Sequence, residues 1–407
     1  MRIIFANKFH FRQGGADGYA LDAAELLRER RGFAVAPFAM RHERNLQSEW
    51  SRYFVSEVET GRASSAWSAL RTAARFLWSS EAARKFTRLA KAFKPDLVHA
   101  HNLYHQLSPS PLAAARRLGL PVVLTAHDYA LLSPNYALFH DGAICERGLE
   151  SPWRAVGHRC VRGSRAASAL CAAEVALHRA LGAYRRNVDY VIAPSRFVQA
   201  KFLEAGWPED RVVHLPHYVD SARWQPVYGG EYALYLGRLS EEKGVATLIE
   251  AAGRRPDIPL LIVGDGPERA RLEARAHELG AYVSFLGRLE GERLKRAVSG
   301  SKFVVVPSVW FEPFGLVALE AFAAGKPVIA SQIGGLGELI DDGRTGLFVS
   351  AGKAQELARA MGELWDTPGV AESMGMNARR EATLRYSVDG HLKGLTEVYW
   401  RARSRRR

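Results

Sequence analysis

The stretch VVVPSVWFEPFGLVALEAFAAGKPVIAS, residues 304–331, constrains the fold more than any other part of the chain. It reads as strand, loop, helix, strand: a β-branched run from Val304 to Val306, a loop marked by Pro307 and Pro313, an apolar helix from Gly315 to Ala324, and a buried strand from Lys326 to Ala330. The same order opens the chain in RIIFANKFHFRQGGADGYALDAAELLRERRGFAVAPF and restarts at EYALYLGRLSEEKGVATLIEAA. Strands and helices alternating in this way build a doubly wound parallel sheet. A chain of 407 residues can build it twice, each copy with its own core. The expected class is therefore α/β with two Rossmann-like domains. Pro216 and Pro226 bracket a linker of low periodicity, which divides the chain into residues 1–215 and 216–385, with a last helix over residues 386–407.

Ligands of open α/β sheets sit beyond the carboxyl ends of the strands, so the loops there hold the candidate residues. After the first strand come Gly14 and Gly15, which permit positive φ and close approach of a ligand. A dinucleotide fingerprint would need Gly-x-Gly-x-x-Gly and an acid about twenty residues on, and neither is present. Two further strands run into HAHNLYHQLSP and AHDYALLSPNY, placing His99, His101, Asn102, His127 and Asp128 at the cleft. Glu312 and Glu320 flank the helix of the 304–331 block; at about 1.5 Å of rise per residue they lie roughly 12 Å apart if the segment is mostly helical. That is the reach of an extended ribose, diphosphate and hexose. Between them the N–H groups of Phe314, Gly315 and Leu316, unpaired at a helix start, orient toward an anion. Arg238 and Lys243 add a guanidinium that can bridge two phosphate oxygens and an ammonium that acts as a point charge. Read singly, each has an ordinary alternative: a helix-entry carboxylate, an exposed helix residue, a loop cation.

Charge is the informative part of the composition. Residues 1–207 hold 29 Lys and Arg against 17 Asp and Glu, an excess of 12, whereas residues 208–407 hold 27 against 26. Such asymmetry points to an acidic partner for the first half, with an anionic membrane surface among the choices. The stretch from Trp67 to Lys94 sharpens the point: Trp67, Leu70, Phe76, Leu77, Trp78, Phe86 and Leu89 form an apolar set, and Arg71, Arg75, Arg84, Lys85, Arg88, Lys91 and Lys94 a basic one. This is either a membrane-surface element or a crossover helix with a solvated basic face. No run of 18 apolar residues and no signal-peptide pattern is present, and three cysteines at irregular spacing suit a reducing compartment. The expected location is cytoplasmic, including peripheral association with the inner face of the membrane.

The block EPFGLVALEAFAAGKPVIAS, the strand followed by Gly-Arg and then Lys-Gly around Arg238 and Lys243, and the TAHD containing His127 resemble the retaining, nucleotide-sugar-dependent glycosyltransferases of family 4, which have the two-domain GT-B fold. The resemblance is strongest from Gly237 to Val349 and continuous elsewhere. It implies transfer of a hexosyl group from a nucleoside diphosphate sugar to an acceptor hydroxyl, on a glycan or lipid-linked sugar, with retention and without a cofactor or catalytic metal. His127, Arg238, Lys243 and Glu312 would be catalytic, with Arg238 and Lys243 as a diphosphate clamp. Donor binding would add Gly14, Gly15, Arg288, Leu289, Phe314, Gly315, Leu316 and Glu320: Glu320 on the ribose, Glu312 on the donor sugar, the backbone at Arg288 and Leu289 on the base. The last helix would cross back onto the first domain. Two departures stand out. His217 to Asp220 replaces the Asn-Gly-Val-Asp of many relatives, and Ser133 stands where a subgroup has Cys, leaving Cys145, Cys160, His158 and His140 too irregularly spaced for zinc. Rival expectations on the same fold are an inert binding or scaffold protein and a GT-B epimerase or phosphorylase. Nucleic acid is not expected as a partner, since no RNP-like strand or helix-turn-helix spacing is present.

Overall fold

The computed structural model describes residues 1–58 and 66–406, with the side chains of residues 66–71 excluded. It contains two six-stranded sheets, parallel throughout. The first runs in spatial order Ala34–Phe38, Arg2–Ala6, Leu97–Ala100, Val122–Thr125, Tyr190–Ala193, Val212–His214. The second runs Val283–Gly287, Leu260–Val263, Tyr232–Leu236, Ser301–Val306, Val328–Ser331, Gly346–Val349. The architecture is GT-B.

Side chains alternate between the two faces of a strand, and both faces are covered, so the central strands carry apolar residues at successive positions. Ile4 and Ala6 face one side of the first sheet, where Phe38, Phe86, Leu89, Phe93, Val98 and Leu124 join them. Ile3 and Phe5 face the other, against Tyr19, Leu27, Val123 and Ile192. The second face is closed by the helix Val388–Ser404, whose Leu392, Leu395, Val398 and Tyr399 are buried there. Each such side chain contributes about 1.5–3 kcal/mol of burial. Arg403 pairs with Asp96 at 3.1 Å and Arg406 with Asp189 at 2.8 Å, fixing the end of that helix to the first sheet.

The basic amphipathic stretch forms two helices, Ala66–Leu77 and Ser80–Phe93, the second capped by Ser79 and ended by Lys94 before Pro95. Phe86, Leu89, Ala90 and Phe93 turn into the core, with Phe86 edge-on to Phe38. The apolar face of the second helix is thus a crossover face; among the described residues of the basic set, Arg84, Arg88, Lys91 and Lys94 remain exposed, and Trp78 between the helices is 41% exposed. Lys85 instead donates to the Phe54 carbonyl at 2.6 Å and pairs with Glu81 at 3.0 Å. The side chains of Trp67, Leu70 and Arg71 lie outside the described residues. No helix among the described residues is long and apolar enough to cross a membrane. The helix Arg165–Ala180 ends where the chain turns through Gly182 at φ 59.

Where the domains meet, the loop before Gly315 docks on the first domain. Tyr129 donates to the Phe311 carbonyl at 3.1 Å and Ser195 to the Pro313 carbonyl at 2.7 Å. Glu338 of the second domain accepts from the backbone N–H groups of Arg196 and Phe197, at 2.9 and 2.7 Å, the first turn of a first-domain helix. A carboxylate is favoured there by the unpaired N–H groups and the dipole.

Candidate active site

In the second sheet the chain returns from the edge strand to Ser301–Val306, placed beside Tyr232–Leu236, so the connections leave these neighbours in opposite directions. That switch point opens a crevice beyond their carboxyl ends. Both following loops enter it. Lys243 Nζ, from one, lies 2.6 Å from Glu312 Oε1, from the other, and 4.8 Å from the Trp310 ring centre. Ser308 donates to the same oxygen at 2.7 Å. Burial opposes ionisation of Glu312, but the ammonium and the hydroxyl outweigh it and hold the pKa below the ordinary value. Both of these contacts fall on Oε1, and the Trp310 indole also favours the ionised carboxylate; Oε2 takes no hydrogen bond from Lys243 or Ser308 and can accept from a ligand hydroxyl. Arg238 is exposed and makes no ion pair among the described residues, with Tyr136 of the first domain beside it.

Two glycines hold this loop in place. Gly335 donates to the Glu312 carbonyl at 2.6 Å, while Gly334, at φ 57, leaves no room for a side chain: a Cβ would stand 2.5 Å from that carbonyl oxygen. Gly315 takes φ 107, and a Cβ there would meet Leu336 Cδ2 at 2.6 Å.

The helix itself spans Leu316–Ala323, with no side-chain cap on its N-terminus. Glu312 to Gly315 are therefore not helical, and the helical ruler between the two carboxylates does not apply. They also face different neighbours. Glu312 faces Lys243, whereas Glu320, half-buried, faces Asp22 and Arg12 of the first domain; burial and Asp22 push its pKa up to about 7. Gly14 and Gly15 do not use positive φ as expected. Gly14 is extended at φ −155, and Gly15 begins the helix Gly15–Arg31, where a Cβ would lie 3.1 Å from Leu316 Cδ1. Its smallness brings the first-domain loop against the second-domain helix. Arg288 and Leu289 follow the strand Val283–Gly287, and Arg288 reaches across to the Arg12 carbonyl at 2.8 Å.

His127 leaves the strand Val122–Thr125 half-buried, with Nε2 3.0 Å from His101 Nδ1. His217 of the linker stacks on it at 5.5 Å and 20° and meets Phe314 edge-on at 5.3 Å, bridging the two domains. Tyr19 packs against both histidines and donates to His391 Nε2 at 2.8 Å, while His391 Nδ1 donates to the Pro216 carbonyl at 2.7 Å. Linker, first sheet and last helix thus share one aromatic junction under the cleft. His99 belongs to its floor rather than to the cleft: it is fully buried, with its nitrogens on Tyr399 and Thr125 at 2.7 and 2.8 Å. Asp128 is taken up by the Tyr104 hydroxyl. Tyr19, His217, His391 and Ser308 carry no sequence signal of their own, apart from the departure at His217. Among the described residues the one grouping with metal-ligating side chains is His105, Cys171 and Glu174, on the first domain and outside this crevice's residues.

Known glycosyltransferases share sequence and fold with this chain. The chain is 32% identical over 325 residues to D-inositol 3-phosphate glycosyltransferase of Rhodococcus erythropolis, covering 75% of this chain and 68% of that one. It is 29% identical over 325 residues to glycogen synthase of Mycobacterium tuberculosis, covering 77% and 70%. Among solved structures it shares the fold of Anabaena Alr3699/HepE in complex with UDP-glucose, with a TM-score of 0.69 at 21% identity over 98% of this chain and 99% of that one. The model for Glycosyl transferases group 1 matches residues 221–381. The Glycosyltransferase Family 4 model matches residues 13–223, more than half of the chain, and the protein belongs to that family of GT-B glycosyltransferases.

Proposed function

We propose that the protein moves a hexosyl group from a nucleoside diphosphate sugar to an acceptor hydroxyl, on a glycan or lipid-linked sugar, with retention at the anomeric carbon. The observation that carries this reading is the Lys243–Glu312 pair at the switch-point crevice, with exposed Arg238 on the same loop as Lys243. Departure of the nucleoside diphosphate builds negative charge on its β-phosphate. Fixed cations and the uncapped helix start at Leu316 stabilise that charge in the transition state without a metal. Glu312 Oε2 and His127 hold the transferred sugar, and Glu320 accepts from the ribose. The acceptor oxygen bonds to the anomeric carbon as the carbon–phosphate-oxygen bond breaks on the same face, and the acceptor proton passes to the leaving phosphate. A hexose donor is supported by the names of the relatives and by the UDP-glucose held by the Anabaena protein. The exposed stripe of Arg84, Arg88 and Lys91 supports a cytoplasmic enzyme that visits an anionic membrane surface for a lipid-linked acceptor.

The test is a panel of nucleotide sugars screened by thermal shift, followed by product analysis in excess EDTA. One donor should raise Tm and yield a product with the donor's anomeric configuration. An inverted product would refute retention, and a requirement for added Mg²⁺ or Mn²⁺ would refute the metal-free clamp. Indifference to every nucleotide sugar would favour an inert scaffold, and an epimerised donor the epimerase alternative.

A further inference from the structure

We propose that His101 is a positioning residue that fixes the tautomer of His127, so that His127 meets the bound sugar with an N–H on Nδ1 rather than a bare nitrogen. This rests on His127 as a contact to the transferred sugar. The two residues leave adjacent parallel strands, Leu97–Ala100 and Val122–Thr125, and His101 Nδ1 comes 3.0 Å from His127 Nε2. His101 is 2% exposed, enclosed by Phe5, His99 and Tyr19. Its Nε2 is buried and has no partner among the described residues. Burial pushes the pKa of His101 well down, and that of His127 to about 3, so both rings are neutral near pH 7 and each carries one proton.

Two neutral rings can share that contact in only two ways. If His127 Nε2–H donates, the proton of His101 must sit on Nε2, where it is a buried donor with no acceptor. If His101 Nδ1–H donates, its Nε2 is only a bare lone pair, which is the milder defect. An orphaned buried donor disfavours the first arrangement by roughly five- to a hundredfold in population. His127 therefore accepts at Nε2 and carries its proton on Nδ1, against the preference of a free histidine side chain in water for Nε2–H. His127 is half-buried and its Nδ1 has no partner among the described residues, so it is the nitrogen left for a ligand. His217 stacked on one side and Tyr19 against the edge hold the ring in this orientation. A neutral donor of this kind suits a sugar hydroxyl oxygen. It leaves recognition of the diphosphate to Arg238 and Lys243.

Long-range proton–nitrogen correlation spectra of the full chain with ring-labelled histidine read the tautomer directly, with the His127 signals identified by their loss in His127→Gln. The wild type should show Nδ1–H. His101→Leu should revert His127 to Nε2–H and lower kcat about tenfold while leaving the Kd for the sugar-free nucleoside diphosphate unchanged. His101→Asn, whose amide can donate in place of Nδ1–H, should restore both. An Nε2–H tautomer in the wild type overturns the proposal, as does an unchanged tautomer in the Leu variant or equal loss of turnover in the Leu and Asn variants. Should the Leu variant not fold, the wild-type spectrum and the Asn variant still decide. Absence of sugar transfer with any donor would count against the enzyme reading alone, because the spectra do not depend on turnover.

Discussion

Replacing Lys243 by Ala separates the structural and catalytic consequences of the same contact. Glu312 is 7% exposed, and its Oε1 takes Lys243 at 2.6 Å and Ser308 at 2.7 Å, so loss of the ammonium leaves a buried carboxylate with one hydroxyl. Removing one partner of a fully buried ion pair costs about 3–5 kcal/mol. The Lys243 side chain is 24% exposed, and water admitted there reduces the expected cost to about 2 kcal/mol. At about 2–4 °C per kcal/mol for a domain of 150–250 residues, Tm of the second domain should fall by about 4–8 °C. The pH dependence follows from the sign of the shift. The pKa of Glu312 is lowered in the folded protein, so its pairing stabilises above the ordinary carboxylate value and the benefit is lost as pH falls through the folded value. In Lys243→Ala the buried carboxylate favours its proton instead, so the variant should be damaged most at pH 8 and least at pH 5. Adding Glu312→Gln removes the orphaned charge and should return most of the lost Tm. It should return none of the turnover, because the cation facing the diphosphate is still missing: kcat/KM should be down at least about a hundredfold, roughly 2.7 kcal/mol, in both variants. Calorimetry at the two pH values and initial rates with the donor found by screening are the assays. Wild-type turnover in Lys243→Ala would remove the clamp from the mechanism. A Tm loss equal at both pH values and unrelieved by Glu312→Gln would refute the pairing argument.

Three further outcomes are expected. Glu320 has a pKa raised to about 7, so its contribution to stability is full below the ordinary carboxylate value and disappears as pH rises through 7; Glu320→Gln should raise Tm at pH 8 more than at pH 5, and donor binding near pH 7 should release a proton in wild type but not in this variant, as read by calorimetry in two buffers. Gly334→Ala forces a side chain to φ 57 and into the Glu312 carbonyl, costing about 1–2 kcal/mol from the backbone alone and disturbing the Glu312 loop, whereas Gly337→Ala, where a Cβ meets nothing within 4 Å, should be neutral; equal Tm and turnover in the two variants would contradict this. Replacing Arg84, Arg88 and Lys91 with Glu should abolish sedimentation with anionic vesicles without altering donor affinity, each cation contributing about 1 kcal/mol at such a surface, and equal sedimentation of the wild type with neutral and anionic vesicles at low salt would end the membrane reading.

The features legible before folding follow from interactions local along the chain. A β-branched run, a glycine loop and an apolar helix repeat their order because each unit must bury both faces of its strand. The two parallel sheets and the loops at their carboxyl ends were therefore legible, and with them Arg238, Lys243, Glu312 and Gly315 as a motif. The apolar face of Ser80–Phe93 was legible as amphipathic, but its neighbour was not: periodicity shows that a face must be covered, and only packing shows that Phe38 and the first sheet cover it. Tertiary structure alone decided the charges and protons of the site. Lys243 and Glu312 lie 69 residues apart, and their pairing depends on two strands meeting at a switch point. Glu320 acquires its high pKa from burial and, after that, from Asp22 on the other domain. His127 is surrounded by Tyr19, His101 and His217, brought from a helix, a strand end and the linker. Residue type and spacing convey which groups can ionise or donate; burial and the distance to the next charge decide which of them do, and those quantities exist only once distant segments have packed.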